Sequence, residues 1–109
     1  MLESSQFHHM ADATLMHLHD QLEDAFDAGD IEELMLDDGV LTIETPEGKV
    51  IVVNKHMASG QIWLASPVSG GLHFDLDTEC NEWRLRDGKT LKDQLREDIN
   101  KIAKIDIVF

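Results

Sequence analysis

The sequence has little of what marks secreted or membrane proteins. It contains one cysteine, Cys80, so no internal disulfide can form and the fold does not depend on an oxidising compartment. No apolar run approaches the roughly 20 residues that a membrane-spanning helix needs. The first ten residues, MLESSQFHHM, lack the basic region and the apolar stretch of a signal peptide. We therefore expect a cytoplasmic protein that does not associate with a membrane.

The first 48 residues also contain no lysine or arginine. They contain 13 aspartates and glutamates, whereas residues 49–109 contain nine acidic and nine basic residues, so the formal net charge of −13 belongs to the first part. Such a charge repels the phosphates of nucleic acids and of anionic membranes, and it attracts metal ions and basic protein surfaces. The sequence therefore predicts a cation or a basic protein as the partner, and not a nucleic acid.

Hydrophobic periodicity predicts a single α+β domain over residues 1–109. Apolar stripes at three- and four-residue spacing indicate one helix over about 5–27 and a second helix after the N-cap candidate Thr90. Short alternating segments between them indicate about six strands, which can pair only as hairpins in an antiparallel meander. Both terminal helices should pack on one face of this sheet, which gives a two-layer α–β sandwich with one open sheet face. The strand candidates are 32–36, 40–44, 49–54, 61–66, 72–76 and 82–85, and residues 105–109 are expected to pack as an extended tail.

Carboxylates recur on one side of the first predicted helix. Like-charge pairs three or four residues apart destabilise a helix by about 0.2–0.5 kcal/mol each, and the helix dipole disfavours negative charge at the C-terminal end. Most charge runs are only solvated surface, and that interpretation stays open, but local rules broken this consistently favour a function. The carboxylates are Asp20, Glu23, Asp24 and Asp27, at i, i+3, i+4 and i+7, and the run continues toward the first strand with Asp30, Glu32 and Glu33.

Carboxylates with an occasional imidazole suit hard or borderline divalent ions such as Fe²⁺, Mn²⁺, Ca²⁺ or Mg²⁺. His8 with Asp12, and His19 with Glu23, stand at i, i+4 on the predicted helix and could each hold such an ion. A lone surface histidine is more often no ligand at all. Because ligands on a convex helix cannot close a coordination shell, we expect several exposed, weak sites.

The two tryptophans are predicted to differ in burial. In the segment 61–66, alternation places Ile62 and Leu64 on one face of the strand and Trp63 on the other. If the two aliphatic residues contact the helices, Trp63 lies on the open face beside Gln61, which is typical of an interface anchor. We expect Trp83 to be part of the core.

With these residues assembled, the chain resembles the frataxin family, most closely its short bacterial CyaY-type members. The resemblance covers nearly the whole length. The most specific segments are Asn54-Lys55, the run QIWLASPVSG at 61–70 and the strand GLHFD at 71–75; the helix opening FHxxAD at 7–12 and GVLTI at 39–43 also fit.

The resemblance implies an iron-binding protein of iron–sulfur cluster assembly, an iron donor or a regulator, that contacts a cysteine desulfurase and a scaffold protein. It implies weak surface binding of Fe²⁺ and Fe³⁺, for which other divalent cations could substitute. The N-terminus lacks the long extension of mitochondrial members, which favours a bacterial cytoplasm as the location. His56, Phe26 and Ala28 depart from the family pattern. By position, the resemblance places the metal residues at Asp20, Glu23, Asp24, Asp27, Asp30, Glu32 and Glu33, with His8 and Asp12 nearby, and the partner-binding residues at Asn54, Gln61 and Trp63. The predicted metal set also includes His19, from its spacing to Glu23.

A second hypothesis is a pure interaction module, whose acidic surface docks on a basic partner while metal binding is incidental. Nothing in the sequence resembles a nucleophile–base pair, so we expect no enzyme, with weak ferroxidase activity a secondary expectation. We expect a monomer, with metal-dependent oligomers as the alternative.

Overall fold

Two helices and six strands make up residues 4–109, the part of the chain that the computed structural model describes. None of the described helices is long and apolar enough to cross a membrane. The elements follow the predicted order; the bounds of β2 and β4 equal the predicted ones, and the other predicted bounds lie within two residues of those observed. They are α1 (Ser4–Asp27), β1 (Glu33–Asp37), β2 (Val40–Glu44), β3 (Val50–His56), β4 (Gln61–Ser66), β5 (Gly70–Asp77), β6 (Glu82–Arg84) and α2 (Leu91–Ala103).

The six strands form one antiparallel meander in the order β1 to β6, as predicted. The first hairpin turns through Asp38 and Gly39, which have φ angles of 48° and 76°. Two successive positive φ angles are typical of the two-residue hairpin turn that Asp-Gly favours, because its twist matches that of the strands. The turn sets the register in which Asp37 lies opposite Val40.

Both helices bury one stripe against the same face of the sheet, so the two-layer α–β sandwich is confirmed. Trp83 is 3% exposed, and its indole Nε1 donates a hydrogen bond to Thr14 Oγ1 at 2.9 Å, which ties β6 to α1. The core prediction for this tryptophan is therefore correct. The residues buried from α1 are Phe7, Ala11, Leu15, Leu18 and Leu22, and the apolar ones from α2 are Leu91, Leu95, Ile99 and Ile102.

The second helix begins and ends with recognisable caps. The Thr90 hydroxyl accepts a hydrogen bond from the Asp93 backbone N–H at 3.1 Å, as predicted, and Lys104 ends the helix in the left-handed conformation at φ 60°. The extended tail then packs against the core through Ile105, Ile107 and Phe109. The predicted docking of the tail is thus confirmed.

One polar group of the core was not predicted. Asp98 of α2 is fully buried, and its carboxylate accepts hydrogen bonds from Gln94 Nε2 at 2.9 Å and from Ser69 Oγ at 2.5 Å. Ser69 belongs to the β4–β5 connection, so this carboxylate fastens that loop to the second helix.

Candidate metal-binding surface and open sheet face

The C-terminal half of α1 and the chain that follows it form one exposed acidic surface, which we call the acidic ridge. The ion pairs of residues 4–109 bring no lysine or arginine to any ridge carboxylate. The repulsion inferred from the sequence is therefore not relieved by neighbouring strands. The ridge consists of Asp20, Glu23, Asp24, Asp27, Asp30, Glu32 and Glu33, all exposed.

Three side chains of α1 converge into a potential metal site. His19 Nδ1 lies 3.3 Å from Asp20 Oδ1 and 3.6 Å from Glu23 Oε1, and one ligand atom of each residue lies within 4.8 Å of the other two. Ligands of a first-row divalent ion stand about 2.0–2.2 Å from the metal, so modest side-chain rotations would bring all three atoms into one coordination shell. The imidazole is 27% exposed and the two carboxylates more than half, which leaves the remaining coordination positions to water.

The other predicted metal residues are arranged differently. Among the residues that the structure describes, this trio is the only group of three histidine, cysteine, aspartate or glutamate side chains whose ligand atoms come so close. The remaining ridge carboxylates are exposed, and within the described residues they belong to no such group of three. They are Asp24, Asp27, Asp30, Glu32 and Glu33.

At the predicted His8–Asp12 pair a cation of the protein itself is already bound. Lys55 Nζ lies 2.8 Å from Asp12 Oδ1 and 3.1 Å from His8 Nδ1. Sequence reasoning missed this contact because it joins residues more than 40 positions apart. Alternation on β3 could have indicated it, since Lys55 continues the inward-facing series of Ile51 and Val53.

On the open sheet face, Trp63 is held between two imidazole rings. Its ring stacks on His56 at a centroid distance of 3.6 Å and on His73 at 4.1 Å, with interplanar angles of 9° and 7°. Its indole Nε1 donates to Gln61 Oε1, and Gln61 Nε2 donates to Asp75 Oδ1, both at 3.0 Å. These contacts hold the indole in one orientation, and Trp63 is half-buried.

The predicted alternation of β4 is confirmed. Ile62 and Leu64 are buried, and Trp63 points to the opposite face, directly opposite Asn54 on the neighbouring strand. The three predicted partner-binding residues thus share one face. Sequence reasoning missed the two histidines that stack on the tryptophan, because cross-strand contacts require the register: His73 lies directly opposite Trp63 on β5, and His56 lies diagonally from it on β3.

The carboxyl groups with shifted pKa values lie away from the ridge, in the second half of the chain. Hydrogen bonds from the Cys80 thiol and from the Glu79 backbone N–H lower the pKa of Asp77, and its ion pair with Arg84 adds to this. The guanidinium of Arg96 lowers the pKa of Asp106, to which it donates two hydrogen bonds at 2.6 and 2.8 Å. These are stabilising ion pairs of the scaffold.

Comparison with known sequences gives one consistent family. Residues 1–105 match the family model described as a frataxin-like domain. The mitochondrial frataxin homolog of Saccharomyces cerevisiae is 42% identical over 103 residues, which cover 92% of this chain and 58% of the relative. The iron-sulfur cluster assembly protein CyaY of Pseudomonas fluorescens (strain Pf0-1) is 34% identical over 104 residues, which cover 94% and 87%. The mitochondrial frataxin of Arabidopsis thaliana is matched over 47% of its length, so the chain spans about half of the mitochondrial relatives.

Solved structures agree on the fold. Frataxin from Psychromonas ingrahamii matches with a TM-score of 0.77 over 97% of this chain and 96% of that one, and its 23% identity supports the fold alone. Trimeric frataxin from the yeast Saccharomyces cerevisiae, complexed with ferrous iron, matches with a TM-score of 0.75 and 41% identity over 88% of this chain and 87% of that one.

Proposed function

Because the chain belongs to the frataxin family, we propose that it is an iron-binding accessory protein of iron–sulfur cluster assembly. It acts by binding, as an iron donor or as a regulator of the cysteine desulfurase, and it performs no covalent chemistry of its own. The names of the CyaY relatives and the ferrous complex of the yeast protein support this assignment. The bacterial source of those CyaY relatives supports a bacterial cytoplasm as its location.

The observation that carries the proposal is the trio His19, Asp20 and Glu23, on a ridge whose carboxylates form no ion pair with lysine or arginine within residues 4–109. Its donors are one imidazole nitrogen and two carboxylate oxygens, a set that suits Fe²⁺ and also admits Mn²⁺ or other divalent ions. Binding should be weak and reversible, because half of the coordination shell stays with water. Weak, exposed binding suits a protein that passes an ion on.

The open sheet face is the proposed contact with the desulfurase and the scaffold protein. Trp63 presents an indole whose orientation is fixed before a partner arrives, and preorganisation lowers the entropic cost of binding. The exposed side chains of Met35, Val40 and Val50 extend this face with apolar surface. An aromatic anchor within an apolar surface is the usual composition of a protein interface.

An anaerobic titration with Fe²⁺, followed by the amide spectra of α1, tests the metal proposal. The chain should show saturable shifts around residues 19–23, and the triple variant His19→Ala, Asp20→Asn, Glu23→Gln should lose them. The matched control His9→Ala, Asp93→Asn, Glu47→Gln removes the same residue types at exposed positions outside the trio and should retain them. Equal loss in both variants would mean that general electrostatic attraction, and not the trio, binds the ion.

The second candidate function is docking of the acidic ridge on a basic protein, with metal binding incidental. It is favoured by the same absence of lysine and arginine around the ridge carboxylates among residues 4–109. The two functions separate in a desulfurase binding assay in the presence of a chelator. If the trio variant binds the desulfurase and regulates it normally, the trio serves metal; if it loses both without any metal present, docking is the primary role.

A further inference from the structure

Lys55 approaches the first helix from the sheet. It lies on the helix-facing side of β3, its side chain is only 16% exposed, and its ammonium reaches the first half of α1. Among the ion pairs of residues 4–109, this is the only one that brings a lysine or arginine onto α1. The most acidic part of the chain therefore carries one internal cation, and that cation lies outside the acidic ridge.

The path of this side chain requires a glycine in the first hairpin. A Cβ atom at Gly39 would lie 2.5 Å from Lys55 Cε and 2.7 Å from Lys55 Cγ, so any other residue would displace the lysine. The Lys55 backbone N–H also donates to the Gly39 carbonyl at 2.9 Å. The glycine of the first hairpin turn therefore leaves the space that the Lys55 side chain occupies.

The ammonium occupies the atoms that a metal ion would need. An ammonium has only donors, so His8 Nδ1 must be the acceptor of the 3.1 Å contact, which leaves the ring proton on Nε2. Asp12 Oδ1 accepts the second bond at 2.8 Å. The lone pair of His8 Nδ1 and one carboxylate oxygen of Asp12 are therefore already used by a positive charge.

We propose that Lys55 is a built-in cation that closes the His8–Asp12 position to metal ions, so that α1 binds metal first at His19, Asp20 and Glu23. Binding at the first position requires the lysine to leave, since its charge repels an incoming divalent ion and its hydrogen bonds occupy the ligands. The proposal rests on metal binding by α1. It assigns to Lys55 the role of determining which of the two positions on this helix binds the ion first.

A titration with Mn²⁺, followed by paramagnetic broadening of the histidine ring signals, tests this selection. In the unaltered chain the His19 signals should broaden at a Mn²⁺ concentration about tenfold lower than the His8 signals, because the Lys55 ammonium repels an ion that approaches His8 and Asp12. In Lys55→Met the His8 signals should broaden at a concentration about tenfold lower than before. The control Lys89→Met removes the same charge from the pair with Glu97 and should leave the His8 signals unchanged.

The outcomes separate the two proposals. Equal His8 responses in the two lysine variants, or simultaneous broadening of His8 and His19 in the unaltered chain, would overturn the role of Lys55 while metal binding stands. If no histidine of α1 responds in any variant, metal binding fails and this proposal with it. The ¹⁵N shifts of the His8 ring in the unaltered, metal-free chain supply a second check, because protonation at Nδ1 would contradict the lysine contact.

Discussion

The first 48 residues and the remaining 61 treat charge in opposite ways. In the second part, acids and bases neutralise each other through local ion pairs; in the first, the ridge carboxylates contact no lysine or arginine among the described residues. The second part therefore has the charge pattern of a stable scaffold, and the first that of a surface open to external cations. The pairs of the second part are Arg84–Asp77, Lys89–Glu97, Lys92–Glu82, Arg96–Asp106 and Lys101–Glu97.

The contrast predicts that removing an acid lowers stability in the second part and raises it on the ridge. Asp98 should give the largest effect, because it is fully buried and both of its oxygens accept hydrogen bonds. Asp98→Ala leaves the Gln94 amide and the Ser69 hydroxyl without their acceptor and should lower the free energy of unfolding by about 2–4 kcal/mol. Urea denaturation measures this loss. The control is Asp93→Ala on the exposed side of the same helix, and equal losses in the two variants would refute a special role for the buried carboxylate.

Metal binding should stabilise the first part next most strongly. An ion that binds only the folded chain adds about 1.4 kcal/mol to the free energy of unfolding at ten times its dissociation constant. Thermal denaturation with Mn²⁺, against NaCl at equal ionic strength, should therefore show a higher melting temperature. The gain should vanish in the variant that lacks His19, Asp20 and Glu23. An unchanged melting temperature in the unaltered chain would contradict metal binding to the native ridge.

Neutralising the ridge should stabilise the chain without any metal. Asp24→Asn with Asp27→Asn removes three like-charge pairs at helical spacing and two negative charges near the C-terminal end of α1, which together should add about 1 kcal/mol. Denaturation at low ionic strength measures the gain, which salt should reduce. The opposite sign is expected for Glu97→Gln, since Glu97 pairs with Lys89 and Lys101. A loss of stability in the ridge variant would mean that these carboxylates support the helix.

Local patterns were sufficient to predict most of the fold. Alternation placed Ile62 and Leu64 inside and Trp63 outside, and the Thr90 cap located the second helix, because each signal lies within a few residues. The missed features depend on contacts between distant segments. Lys55 on His8 and Asp12, Asp98 beneath the β4–β5 loop and the rings around Trp63 all require the register of the sheet or the placement of a helix. The pairing of His19 with Glu23 was predicted from helical spacing, whereas the addition of Asp20 as a third ligand depends on side-chain orientations that the spacing does not give.

The smallest effect concerns acid stability and again distinguishes the two parts. Arg96 donates two hydrogen bonds to Asp106 and lowers the pKa of its carboxyl below the usual 3.8. A group whose pKa is lower in the folded state contributes stability that is present above its unfolded pKa and is lost as the pH falls through the folded pKa. Both groups are exposed, so the contribution should be small. Asp106→Asn should therefore lower stability slightly at neutral pH and flatten the decline of stability below about pH 4.

Urea midpoints measured at several pH values between neutrality and strong acid test this prediction, and Asp87→Asn, at an exposed position of the same part, serves as the control. If Asp106→Asn leaves the acid decline as steep as in the unaltered chain, the ion pair does not contribute to stability in solution, and the balanced charge of the second part reflects composition alone.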